Sequence, residues 1–174
     1  RAAPAIRYAI AGRILYVSVS ATPPETAGPV ELCLDVVAVF VTYRGGLLVG
    51  RTIGAIVPQV AHVFVVDNGS TDAPTLETLR ALESAHGARL TVVRLGENLG
   101  IGAALNEGLA RARAAGFSWL LTMDQDSVAA PDMVAQLRAA VARCADPDAV
   151  ALVAPRCVDL PEVDEPTPEL SPAP

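Results

Sequence analysis

The chain has 174 residues, 52% of them apolar, and a formal net charge of -6 at neutral pH. That length suffices for one domain with a buried core. The acid excess, with no Arg cluster against it, argues against a nucleic-acid surface, and every long apolar run is broken by Arg, Asp or Pro well short of a membrane span. All 13 basic residues are Arg, so P-loop and Schiff-base chemistry, which need a lysine, are excluded. Cys33, Cys144 and Cys157 form no C-x-x-C pair. Reduced, mostly buried thiols in a reducing compartment are expected.

Residues 1–30 read as an extension and linker. Arg1 and Arg7 precede an apolar stretch, but Arg13 interrupts it, so an extra strand or a disordered extension is expected there rather than a signal peptide. A Pro/Thr/Gly linker follows from Ala21 to Pro29. Val36 to Val41 is an unbroken run rich in β-branched residues, the pattern of a central strand apolar on both faces. It ends at Thr42-Tyr43-Arg44, before the turn Gly45-Gly46. Leu47, Ile53, Ile56 and Val57 then recur at roughly helical spacing up to Pro58.

A second strand is predicted from Val60 to Val66, closing on the turn formers Asp67-Asn68-Gly69-Ser70-Thr71-Asp72. Pro74, Leu76, Leu79 and Leu82 begin a helix after it. Leu90 to Leu95 forms a third strand carrying Arg94, followed by Gly96-Glu97-Asn98-Leu99-Gly100 and a helix from Ile101 to Ala115. A fourth strand, Phe117 to Met123, runs into Asp124-Gln125-Asp126-Ser127, and Pro131 opens a helix whose apolar face is Met133, Leu137, Ala140 and Val141. Ala149 to Ala154 is predicted as a fifth strand ending at Pro155-Arg156. Repeated β-α units with short connections define an α/β doubly wound, mostly parallel sheet over residues 31–159. Residues 160–174, rich in Pro and acid, cannot bury a face and read as a disordered tail.

In an extended strand alternate side chains share a face, so Asp124 and Asp126 point one way and Gln125 the other. Two hard oxygen ligands at a strand end suit Mg²⁺ or Mn²⁺, which leaves its other positions to water and substrate phosphates. Ligands of open parallel sheets sit beyond the carboxyl ends of the strands, where the strand order reverses. Every polar cluster found lies at such an end. With strand order 3-2-1-4, Thr42, Tyr43 and Arg44 fall beside Asp124 and Asp126, and a nucleotide can lie across this edge with its base toward Asp67 and Asn68. Asp67 can accept from a pyrimidine N–H, Tyr43 offers a flat face or a hydroxyl, and Arg94 can bond a base carbonyl or phosphate. The helix start after Asn98 and Gly100 presents free N–H groups. Each cluster also has a plainer reading: Asp67-Asn68-Gly69-Ser70 as an Asx turn, Asn98-Leu99-Gly100 as a helix cap, and the two acids as solvated loop residues.

Taken together, Val39-Phe40-Val41-Thr42-Tyr43, Val65-Val66-Asp67-Asn68-Gly69-Ser70, Asn98-Leu99-Gly100-Ile101-Gly102 with Asn106-Glu107-Gly108, and Leu121-Thr122-Met123-Asp124-Gln125-Asp126-Ser127 resemble the N-terminal half of the family 2 inverting glycosyltransferases, which have the GT-A fold. The pieces span roughly Val36 to Pro155 in family order. The last one, with Gln between the acids and Ser after them, is most similar to the rhamnosyltransferase branch, whose usual donor is dTDP-rhamnose. The resemblance implies a nucleotide-sugar pocket from Thr42, Tyr43, Arg44, Asp67, Asn68, Arg94, Asn98, Gly100, Asp124 and Gln125. It also implies a divalent metal, Mg or Mn, at Asp124 and Asp126, with Asp126 the direct ligand and Asp124 facing the ribose or a water on the metal. A saccharide or lipid-linked acceptor follows, as does a cytoplasmic location with peripheral association at the inner face of the membrane. The family's general base lies beyond the metal motif, so a truncated, donor-binding half-enzyme is expected. Two alternatives stand beside it. One is a nucleotide-binding module without turnover. The other is a haloacid dehalogenase-type phosphatase, whose first motif also has the form strand-Asp-x-Asp but which needs further groups beyond it. A dinucleotide-binding Rossmann domain fits less, because Gly100-Ile101-Gly102 is followed by Ala103-Ala104-Leu105 without a third Gly.

Overall fold

A computed structural model describes residues 32–155. The extension and tail assigned to residues 1–30 and 160–174, and Cys157, lie outside the described residues. Four parallel strands, β1 (Cys33–Thr42), β2 (Val60–Asp67), β3 (Leu90–Arg94) and β4 (Trp119–Met123), form one sheet in the order β3-β2-β1-β4. This is the expected 3-2-1-4 order of a GT-A-like sheet. The helices between and after them are α1 (Leu48–Ile56), α2 (Ala73–His86), α3 (Ile101–Ala114) and α4 (Met133–Ala142).

Alternation along β1 and β2 divides the core in two. Val36, Ala38 and Phe40 of β1, with Val63 and Val65 of β2, face the cluster completed by Val49, Ile53 and Ile56 of α1, Leu79 and Leu82 of α2 and Val134 of α4. Val37, Val39, Phe64 and Val66 face the opposite way, onto Ala104 and Ala112 of α3. A strand apolar on both faces is therefore buried on both, as its unbroken β-branched run requires. The α3 helix approaches β1 closely because Gly108 has no side chain: a Cβ there would run into Val39 Cγ1.

Several element boundaries differ from the sequence expectation, each for a local reason. Leu47 is 80% exposed and precedes α1 as its N-terminal flanking residue rather than joining its buried face. Val57 and Pro58 belong to a 3₁₀ turn, Val57–Gln59. β4 starts at Trp119 because Gly116, at φ 81°, and a Phe117 N–H bond to Ala112 O terminate α3 first. No strand forms over Ala149 to Ala154. The Asp146 carboxylate accepts from the Asp148 and Ala149 amides and winds Pro147–Ala149 into a 3₁₀ turn, and the residues after it join no sheet among the described residues. Cys33 and Cys144 are half-buried thiols rather than fully buried ones.

The start of α2 is tied to the loop before α1. Asp72 caps α2 by accepting from the Thr75 N–H (3.1 Å) and the Thr75 hydroxyl. Thr75 Oγ1 in turn accepts from the Gly46 N–H (2.8 Å). The Thr75 hydroxyl bond, with lesser help from the Thr75 amide and the charge of Arg44, holds the Asp72 carboxyl below its ordinary value of 3.8.

Two outcomes follow from this packing. Gly108→Ala is expected to destabilise the fold by about 1–3 kcal/mol through overpacking, read as a lower urea midpoint with an unchanged m-value. Because the folded Asp72 carboxyl titrates below its unfolded counterpart, its contribution is complete above pH 3.8 and disappears as pH falls through the folded value. Thermal melts of Asp72→Ala should therefore lie below wild type at pH 7 and converge with it in strong acid.

Candidate functional site

At the carboxyl ends of β1 and β4, where the order reverses, an open cleft of about 380 Å³ is lined by Val41, Tyr43, Asn68, Asn98, Ile101, Asp124, Gln125 and Asp126. Register explains the gathering. Thr42 lies opposite Asp67 of β2, and Phe40 opposite Met123 of β4. The residues just past these pairs therefore open onto a common space.

The segment after Met123 is a turn rather than extended strand, with the Ser127 N–H pointing back to Asp124 O at 3.4 Å. The strand-alternation argument for the two acids thus gives way to turn geometry, and Asp124 and Asp126 still both line the cleft. Gln125 lines the cleft as well, with its side chain bonded to β1 and to the residue after it. Its Oε1 accepts from the Thr42 hydroxyl (2.9 Å) and the Tyr43 N–H (3.0 Å), while its backbone carbonyl accepts from the buried Thr52 hydroxyl of α1 (3.0 Å). Gly45 leaves room for this: a Cβ there would stand 2.8 Å from Gln125 Oε1 and 2.9 Å from Thr42 Oγ1.

On the β2 side, Asn68 and Asn98 join two loops. The Asn68 amide donates to Asn98 Oδ1 (3.0 Å) and its Oδ1 accepts from the Leu99 N–H (2.9 Å); Asn98 Oδ1 also accepts from the Gly100 N–H (3.0 Å). Gly69, at φ 87°, lets the loops cross, since a Cβ would lie 2.5 Å from the Glu97 carbonyl carbon. Gly100, at φ 86°, precedes α3 without a side-chain cap, so the leading N–H groups of α3 are left open beside Ile101 at the cleft wall.

The remaining candidates lie around this centre. Thr42 is buried beneath the cleft. Arg44 adopts a left-handed backbone, φ 52°, donates its N–H to Ser70 Oγ (3.0 Å), and sets its guanidinium 5.2 Å from the Tyr43 ring centre. Asp67 is 3% exposed, outside the cleft lining, and accepts the Ser70 N–H (3.0 Å), which is the Asx-type turn. Arg94 gives both terminal nitrogens to Glu83 of α2, at 3.1 and 2.7 Å. That pairing lowers the Glu83 carboxyl and raises the Arg94 guanidinium. Sequence reasoning missed Val41 and Ile101 as lining residues, and Thr52, Ser70 and Thr75 as braces. A Thr on the otherwise apolar buried face of α1 was the available signal for Thr52.

The cleft lining holds two carboxylates and no basic side chain. Among the described residues neither carboxylate has a hydrogen-bond or ion-pair partner, and no group of three or more His, Cys, Asp or Glu side chains converges. Two open, hard oxygen donors fit a Mg²⁺ or Mn²⁺ ion that takes its other ligands from water and phosphate. No helix among the described residues is long and apolar enough to cross a membrane.

Similar solved structures include S. aureus TarS, at 22% identity and a TM-score of 0.50, over 60% of this chain and 19% of that one. The mannosyltransferase PcManGT from Pyrobaculum calidifontis, solved with GDP-Man and Mn²⁺, matches at 24% identity and a TM-score of 0.45, over 58% of this chain and 32% of that one. The chain thus spans between a fifth and a third of the length of these structures. No curated protein matches it. Residues 37–166, most of the chain, match the profile described as glycosyl transferase family 2. With its GT-A-like sheet and its acidic cleft at the β1/β4 reversal, the chain belongs to the family 2 glycosyltransferases.

Proposed function

We propose that this chain supplies the donor side of an inverting glycosyl transfer, holding a nucleotide-sugar whose diphosphate lies at Asp124 and Asp126 and whose nucleoside extends past Tyr43 and Asn68 toward Asp67. The observation that carries this reading is the shared cleft: two carboxylates without partners among the described residues, an aromatic side chain and the uncapped start of α3 open onto one space at the sheet's reversal point. Because no cation lines that space, a bare diphosphate would be repelled there. A divalent ion held by Asp126, with Asp124 beside it, would neutralise the diphosphate and stabilise the charge that grows on it as the glycosidic bond breaks.

The protein groups bind and orient. Tyr43, 37% exposed, lines the cleft and provides a flat wall; the open amides of α3 favour an anionic or polar group. Arg94 can reach a base or phosphate only by leaving Glu83. Gln125 between the acids, with Ser127 after them, supports dTDP-rhamnose as the donor. The family supports a saccharide or lipid-linked acceptor, met in the cytoplasm or at the inner membrane face. Family membership sets the phosphatase alternative aside.

A second reading uses the same residues. The cleft lining contains no carboxylate besides the pair assigned to the metal, and deprotonating an acceptor hydroxyl needs a base within hydrogen-bond reach. A module that binds a nucleoside diphosphate without turnover would look the same, and only release of product from donor and acceptor separates the two.

Calorimetric titration with dTDP, UDP and GDP, each with Mn²⁺ and with chelator, tests the proposal. Metal-dependent binding that prefers dTDP is expected, abolished by chelator. Asp126→Ala should lose that binding while keeping the wild-type circular dichroism spectrum. Wild-type affinity in Asp126→Ala with Mn²⁺ would refute the metal assignment.

A further inference from the structure

Gln125, the residue between the two cleft acids, accepts three hydrogen bonds and donates a longer one from Nε2 to the Tyr43 carbonyl, at 3.5 Å. The Thr42 hydroxyl and the Tyr43 N–H reach its Oε1, at 2.9 and 3.0 Å, and the Thr52 hydroxyl reaches its backbone carbonyl at 3.0 Å. They come from β1, from the loop after it, and from α1, so the turn carrying Asp124 and Asp126 is fastened to the central strand from one side and to a helix from the other. We infer that Thr52 is a positioning residue for the acidic pair: through Gln125 it fixes the turn from which both carboxylates enter the cleft. This rests on the donor-site reading for its consequence and on geometry alone for the clamp.

The helix position makes the assignment specific. A Thr within a helix commonly returns its hydroxyl to the carbonyl four residues back, as Thr78 does to Pro74 O at 2.8 Å. Thr52 instead reaches 73 residues along the chain. It is fully buried, on the α1 face that also carries Val49, Ile53 and Ile56. A purely apolar packing position would be filled by Val at the same volume, and among the described residues the hydroxyl has one hydrogen bond, to the Gln125 carbonyl. Gly45 closes the arrangement from above, since any side chain there would strike Gln125 Oε1, Thr42 Oγ1 and Val49. Among the described residues the turn has one internal backbone contact, the long Ser127-to-Asp124 bond of 3.4 Å. External bonds must therefore set where its carboxylates point, and a metal site tolerates little looseness in its ligands.

The test uses the full chain as wild type, Thr52→Val and Thr52→Ser, with two readouts. In metal-free protein, exchange of the Tyr43 amide proton, which Gln125 Oε1 protects, reports the clamp directly. With dTDP present, the Mn²⁺ concentration for half-maximal binding reports the placement of the carboxylates. Thr52→Val is expected to speed Tyr43 exchange and to raise the required Mn²⁺ roughly three- to tenfold, the effect of one buried hydrogen bond; Thr52→Ser should hold both near wild type. A merely structural loss would lower the unfolding midpoint and move neither readout well below it. If Thr52→Val does not fold, Gln125→Ala removes the side-chain half of the clamp from a half-exposed site and should raise the Mn²⁺ requirement likewise. Unchanged exchange and unchanged Mn²⁺ requirement in Thr52→Val would overturn the inference. Faster exchange in that variant, with no nucleotide binding by wild type, would uphold the clamp and overturn the donor-site reading instead.

Discussion

Burial of β1 on both faces is the constraint from which the rest of the architecture follows. Val36 through Phe40 are each 4% exposed or less, and a strand so covered must have helices on both sides and neighbours on both edges. It has β2 on one edge and β4 on the other. Once β2 and β3 step away in one direction, β4 returns to the remaining edge, and a reversal of strand order beside Thr42 is unavoidable. The place of the cleft is thus a consequence of how β1 is buried. Gly108 tightens the same dependence, because α3 can cover the Val37 and Val39 face only by coming close to Val39.

This constraint was legible in the sequence. An unbroken β-branched run from Val36 to Val41 has no polar face to expose, so its central position and the 3-2-1-4 order could be read before any coordinates. What was not legible depended on competition at element ends. Leu47 has the apolarity of a helix face, but the left-handed Arg44 and the turn at Gly46 start α1 one residue too late for it to point inward. The run Ala149 to Ala154 has strand-like composition, yet strand formation needs an available partner in register, and the Asp146 cap with Pro147 turns the chain at its start. Composition reports what a segment could bury and says little about what its flanks allow.

The same polar clusters admit turn-forming and ligand-binding readings, and the turn-forming bonds can be followed atom by atom. Asp67 makes the Asx-type bond to the Ser70 amide, so its plainer reading is present; Asn98 accepts the Gly100 amide ahead of α3, but the helix itself starts without a side-chain cap. Asn68, Asn98 and Gln125 nonetheless line the cleft while their amide groups hold loops to one another or to β1. A loop at the edge of a sheet must satisfy its own backbone before it can hold a fixed shape.

The consequence is a division of roles among the cleft residues. Side chains with neutral amides and hydroxyls are committed to internal bonds, and among the described residues the cleft groups left without hydrogen-bond partners are the carboxylates of Asp124 and Asp126 and the leading amides of α3, while the Tyr43 ring lies 5.2 Å from the Arg44 guanidinium. Those free groups differ in sign: two negative charges at the β4 end and the positive end of a helix at the other. A ligand that is anionic throughout would meet repulsion over half of the space, and a cationic one would be disfavoured at α3. On the proposed reading, the ligand is anionic as a whole and meets the carboxylates through a cation. Among the described residues no basic side chain lines the cleft and Arg94 is paired with Glu83, so on the proposed reading that cation would be a divalent ion from solution. Rigidity then matters more than charge count, because two carboxylates one residue apart share an ion only if the turn between them is fixed. The bonds that fix it come from Thr42, Tyr43 and Thr52, on β1 and α1, and so return the dependence to the central strand.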